Sequence, residues 1–155
     1  MKKAMWMAMA AVLATANVTF AQAQPGVNDT LMKYEHEMLE QFQKKDWAGF
    51  KKRIMAGAWT IDENGPMPVE ELVKQAGDPK ANLMWTYKVS DMKVVDLEAN
   101  TKAVVYKIDQ KGSMMGQPFP PTVYSTTIWA NHGGNWMAVF HQESKAAPPM
   151  PPAKK

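Results

Sequence analysis

The chain has 155 residues with no cysteine and a single arginine, Arg53, and it carries 18 basic against 15 acidic side chains. The missing thiols exclude disulfides, cysteine-held zinc and iron–sulfur chemistry. One arginine without a clustered basic face argues against nucleic acid as partner.

Residues 1–23 read as an export signal. Lys2 and Lys3 give a positive start, Ala4 to Ala16 is uncharged and apolar, and Ala21-Gln22-Ala23 supplies the small residues a signal peptidase needs. The apolar run falls short of the roughly 20 residues that cross a bilayer. Cleavage between Ala23 and Gln24 is expected, leaving a periplasmic or secreted protein that does not span the membrane. Without Lys2 and Lys3 the balance is 16 basic to 15 acidic, and without Lys145, Lys154 and Lys155 as well it is 13 to 15. The folded part is thus slightly acidic. Its methionines are scattered apart from Met114-Met115, which fits gap-filling in a core better than a thioether copper site.

In chain order, Asn28 or Asp29 can cap a helix from about Thr30 to Lys44, with Leu31, Tyr34, Met38 and Phe42 as its apolar stripe. His36 and Glu40 lie one turn apart on it, a spacing that suits a solvated face better than a metal site. Asp46 starts a second helix, Trp47 to about Ile54, whose Lys51, Lys52 and Arg53 suit the negative end of the helix dipole. A short strand, Ala58 to Asp62, ends in the turn Glu63-Asn64-Gly65-Pro66, and Pro68 opens a third helix, Val69 to Gln75.

From Asn82 the period changes to two. Trp85, Tyr87 and Val89 alternate with polar residues, then the parity moves to Met92 and Val94, which predicts a bulge near Ser90-Asp91. Ala103 to Asp109 is the next strand, and Gln110 to Pro121 reads as a loop or edge because prolines cannot donate to a ladder. The strongest local signal is Thr122 to Ser144, two β-branched and aromatic strands joined at Asn131–Asn135. Residues 146–155 are rich in proline, alanine and lysine and are expected to be a disordered tail, leaving one domain at 24–145.

These elements make an α+β domain with N-terminal helices packed on a curved antiparallel sheet. The segments KKDWAGF, WTIDENG, VYSTTIW and GNWMAVFHQES resemble the nuclear transport factor 2-like superfamily (a cystatin-like fold), over about Leu31 to Ser144. Within it the likeness is to exported SnoaL-like domains of the type grouped as domain of unknown function 4440. The resemblance implies a cone, in which the sheet wraps around the first helix and leaves an opening. In catalytic relatives, carboxylates, tyrosines or histidines inside that cone do acid–base work, and none of their motifs matches here residue by residue. In kinase association domains of this fold, two pocket arginines occupy positions that here hold Thr127 and Glu143, which argues against the same anionic ligand.

If the hairpin turns through a type I turn with a bulged glycine, Ser125, Thr127 and Trp129 share the cone face with Val139, His141 and Glu143. His141 and Glu143 then form either an acid–base relay, with Asp62 as a further carboxylate, or a hydrogen-bonded histidine and a solvated strand end. Trp59, Trp85, Tyr87, Tyr106, Thr127 and Trp129 are the candidate ligand-binding residues, with Trp85, Tyr87 and Tyr106 at the mouth and Thr127, His141 and Glu143 deeper. Such a pocket favours an uncharged or cationic ligand, its only ionised group at neutral pH being Glu143. No metal or cofactor is implied: nucleophile elbow, phosphate-binding glycine loop and zinc-protease helix are all absent. The expected function is binding of a small apolar molecule; the alternative is an isomerase, dehydratase or cyclase using His141 with Glu143 or Asp62. Tyr124, Ile128, Ala130, Ala138 and Phe140 make the opposite face of the hairpin apolar, so a homodimer through sheet faces is expected.

Overall fold

A computed structural model of the protein describes residues 26–147. The expected export signal with its cleavage point, and the tail beyond Ala147, lie outside the described residues.

The first helix, α1 (Val27–Gln43), starts earlier than the caps at Asn28 or Asp29 suggest. Gly26 takes a left-handed conformation at φ 94°, and both the amide and the hydroxyl of Thr30 donate to its carbonyl. Leu31, Glu35, Met38 and Leu39 are its buried residues, spaced three or four apart so that they share one face. Helix α2 (Trp47–Lys51) is capped by the Asp46 carboxylate, which accepts from the Gly49 amide at 2.9 Å. It ends three residues before the expected Ile54, because Ile54 already pairs with the last strand.

Strand β1 (Ile54–Asp62) turns at Glu63-Asn64 into the short β2 (Gly65–Pro68), where the sequence suggested only a turn. Helix α3 (Val69–Gly77) and a single 3-10 turn (Pro79–Ala81) lead to β3 (Met84–Glu98). This strand bends where the parity changes: Asp91 is left-handed at φ 57° and the register slips between Ser90 and Lys93. Strand β4 (Thr101–Met114) runs well past Asp109 into the segment expected to be loop, and a two-residue β5 (Gln117–Pro118) folds back on it.

Strands β6 (Thr122–His132) and β7 (Asn135–Lys145) form the long hairpin. The turn is the two-residue pair Gly133-Gly134, both at positive φ, and not the longer bulged turn. The extra residue is instead Val139, because Trp129 pairs with Ala138 while Ile128 pairs with Phe140. Thr127 is therefore still opposite His141 and Ser125 opposite Glu143. Ala138, expected on the outer face, is buried beside Trp129 on the inner one, and Val139 loses its place there.

The sheet order is β2-β1-β7-β6-β4-β3, antiparallel except for β1 and β7, which run parallel and correct the expectation of a purely antiparallel sheet. The sheet is curled and its inner face holds the core, in which Leu31, Met38 and Leu39 of α1 meet Val104, Tyr106, Ile108, Val123, Trp129 and Trp136. Each fully buried side chain such as Leu31 contributes about 1.5–3 kcal/mol. Among the described residues no helix is long and apolar enough to cross a membrane.

Candidate functional site

Between α1 and the inner face of the sheet lies a cavity of about 150 Å³. Its apolar walls include Met38, Leu39, Phe42 and Phe50 from the first two helices and Leu72 from α3, with Trp85 and Phe119 facing them. Phe42 meets Phe50 and Trp85 edge to face, each at 5.5 Å between ring centres. Trp85 is held by Gln110, whose carbonyl oxygen accepts from the indole N–H at 2.7 Å while its amide donates to the Pro120 carbonyl at 3.0 Å.

The polar end is built on Glu35, a carboxyl only 1% exposed in the middle of the α1 stripe. Tyr106 and Thr127 donate their hydroxyls to Oε1, each at 2.7 Å, and Trp129 donates its indole N–H to Oε2 at 2.9 Å. All three partners are inner-face residues of β4 and β6, so the strand alternation delivers three donors to one helix position. The single Thr127 hydroxyl proton goes to Glu35. The 2.9 Å contact between Thr127 Oγ1 and His141 Nδ1 therefore has Nδ1–H as donor, and a chain of hydrogen bonds runs from His141 through Thr127 to Glu35.

His141 Nε2 lies 3.6 Å from a Glu143 carboxylate oxygen, with the two side chains 27% and 29% exposed. Burial of the imidazole works against its protonation; the Glu143 carboxylate, and beyond it the charge of Glu35, outweigh this and raise the His141 pKa above 6.5. Burial first, and Glu35 second, push the Tyr106 hydroxyl well above 10, so that it stays a neutral donor.

A group with a raised folded pKa stabilises the fold below its unfolded value, and that stabilisation is lost as pH rises through the folded value. His141 should thus titrate above about 6.5, and its midpoint should fall in Glu143→Gln, where burial prevails. NMR titration of the histidines reads this directly; an unmoved midpoint in the variant would break the proposed pairing.

Of the residues singled out from sequence, Trp59, Asp62, Trp85, Tyr106, Thr127, His141 and Glu143 line the cavity. Tyr106 and Thr127 are at its buried floor, 3% and 0% exposed, so Tyr106 is no part of a mouth and His141 and Glu143 are the more open pair. Tyr87 does not reach the cavity and stacks on Trp85 at 4.5 Å. Trp129 also stays out of it, fully buried behind Glu35. Asp62 accepts the Asn64 amide at 2.7 Å, the ordinary work of an aspartate at a turn.

Glu143 does not stand alone as the pocket's acidic group: Asp62 lines it too, and Glu35, which was not among the expected site residues, forms its floor. The signal was there: Glu35 stands four residues after Leu31 and three before Met38, inside the apolar stripe. Among the described residues no group of three or more histidine, aspartate or glutamate side chains is placed to hold a metal ion.

No family model and no curated protein matches the sequence. Solved structures do. A nuclear transport factor 2-like protein from Cytophaga hutchinsonii is 18% identical at a TM-score of 0.68, over 76% of this chain and 97% of that one. A nuclear transport factor 2-like superfamily protein from Salmonella enterica is 16% identical at 0.68, over 86% and 100%. The association domain of a calcium/calmodulin-dependent kinase II from C. elegans is 12% identical at 0.61, over 75% and 93%. At such identities the likeness establishes the fold.

Proposed function

We propose that this chain, which has the nuclear transport factor 2-like fold, is an exported domain that binds a small, largely apolar molecule in its cone. The observation that carries this reading is the cavity itself, with aromatic and aliphatic walls and a few convergent polar groups at one end, the usual make-up of a small-molecule site. Its volume suits a ligand about the size of a single ring, since an apolar cavity of about 150 Å³ accepts benzene.

The chain from His141 through Thr127 to Glu35 favours a second reading, an acid–base enzyme of isomerase, dehydratase or cyclase type. In that reading His141 moves the proton, and Glu143 or Asp62 is the carboxylate beside it.

The domain is also proposed to pair with a second copy through the outer sheet face. Ile128, Ala103 and Val95 form an apolar row across β6, β4 and β3 on the outer face, with Ala103 already buried. Phe140 and Trp59 continue the register on β7 and β1 but also line the cavity, so Phe140, expected on the outer face alone, is shared between the two. Tyr124 on β6 and Leu97 on β3 are both more than half exposed. A face of this kind is usually covered by a partner, and the kinase neighbour is described as an association domain.

Native mass spectrometry of the exported protein tests both parts. A dimer mass carrying a retained small molecule is expected, with Ile128→Glu giving monomers that keep the ligand. Empty protein under the gentlest conditions would sink the binding reading, and a monomer at micromolar concentration the dimer. Conversion of the retained molecule by wild type but not by His141→Ala would decide for the enzyme.

A further inference from the structure

The charge of the cavity points to a ligand class, an inference that rests on the binding reading above. Glu35, Asp62 and Glu143 line it, and among the described residues no lysine or arginine does. Arg53, the one arginine of the chain, has its guanidinium 3.6 Å above the Tyr34 ring. Among the described residues the only lining group that can be cationic is His141. Glu35 is the informative member, because a buried carboxyl ordinarily has a cation for a partner, whereas its three partners here are neutral donors.

A second observation comes from Ser125. It is 1% exposed on the inner face, opposite Tyr106 on one side and Glu143 on the other, and its hydroxyl has no hydrogen-bond partner among the described residues. Ser125 does not itself line the cavity, but its open oxygen leaves an acceptor unmet next to Glu143, the carboxylate at which an N–H donor would sit. The walls suit the rest of such a molecule, since the faces of Phe42, Phe50, Trp85 and Phe119 attract both an apolar ring and a nearby positive charge.

We infer that the ligand is a protonated primary amine on a single ring or a comparably small apolar group, its ammonium at Glu143 with Glu35 behind and its apolar part among Phe42, Phe50 and Trp85. A carboxylate of the same shape would meet three carboxyl groups with only His141 to balance them. A neutral isostere would fill the walls and leave the charge unanswered.

The test titrates wild type and Glu143→Gln with benzylamine, benzyl alcohol and benzoate by calorimetry at about pH 8, above the ordinary histidine range so that His141⁺ competes least. Benzylamine should bind wild type about tenfold tighter than benzyl alcohol, in the range of a partly desolvated cation–π and charge contact, and benzoate should not bind measurably. The benzylamine advantage over benzyl alcohol should shrink to about threefold or less in Glu143→Gln. Added salt should weaken only benzylamine, a control that needs no variant.

Equal affinity for amine and alcohol, a preference for benzoate, or an amine advantage that survives both Glu143→Gln and salt would overturn the amine inference and leave the cavity as a binding site. Failure of all three probes to bind wild type would remove the inference together with the binding reading.

Discussion

Glu35→Ala is expected to be the most damaging single substitution in the cavity, costing about 3–5 kcal/mol of folding stability, because three buried neutral donors lose their shared acceptor. The variant leaves the Tyr106 and Thr127 hydroxyls and the Trp129 indole N–H buried without their acceptor, and each orphaned donor costs about 1–3 kcal/mol. Relief from burying the carboxyl offsets part of this. At a urea dependence of about 1.5–2 kcal/mol per molar, the unfolding midpoint should fall by about 2 M. Glu35→Gln should fall between wild type and alanine, because its amide oxygen still accepts from Tyr106 and Thr127 while its NH2 group confronts the Trp129 donor. A loss under about 0.5 M in alanine, within the range of an ordinary surface change, would mean that the three donors do not converge on this side chain.

The second large effect is expected at Gly112. It holds a φ of 140°, opposite Trp85 in the β3–β4 register, and a Cβ there would lie 1.9 Å from the Met84 carbonyl oxygen. No rotation of a flexible side chain can relieve a contact with backbone. Gly112→Ala should therefore force the strands apart at Trp85, costing about 2–4 kcal/mol and lowering the melting temperature by about 10 °C. Gly116→Ala is the comparison: its φ is 78° but nothing stands within 4 Å of the added carbon, so only the backbone cost of about 1 kcal/mol applies. Equal melting temperatures for the two variants would show that the close approach at Met84 carries no weight. Because Trp85 is a cavity wall, Gly112→Ala should weaken ligand binding as well, whereas Gly116→Ala should not.

Local pattern was enough for the class of fold, the first helix, the bend near Ser90-Asp91 and the long hairpin, because each rests on periodicity or turn chemistry within a few residues. It was enough, too, to bring His141, Glu143, Thr127 and Tyr106 into consideration, since alternate strand positions share a face whatever lies across from them. The same local logic misled where a residue's state depended on a distant partner. Ile54 looked helical after Phe50 and became strand because it meets Ala138 eighty-odd positions on. Gln110 to Ser113 looked like loop beside its prolines and became strand because β3 was there to pair with it.

Glu35 is the sharpest case. In the sequence it is one of several acidic residues on an amphipathic helix, set inside the apolar stripe, but nothing near it says what would meet its oxygens. Only when the sheet curls around α1 do Tyr106, Thr127 and Trp129, 71, 92 and 94 residues away in the chain, supply donors to its two oxygens. The chain by itself determined that there would be a helix lying on a bent aromatic sheet. Which groups surround the carboxyl inside the stripe, and what charge the cavity presents to a ligand, was decided by tertiary structure, because desolvation and hydrogen bonding act across space between residues far apart in the chain.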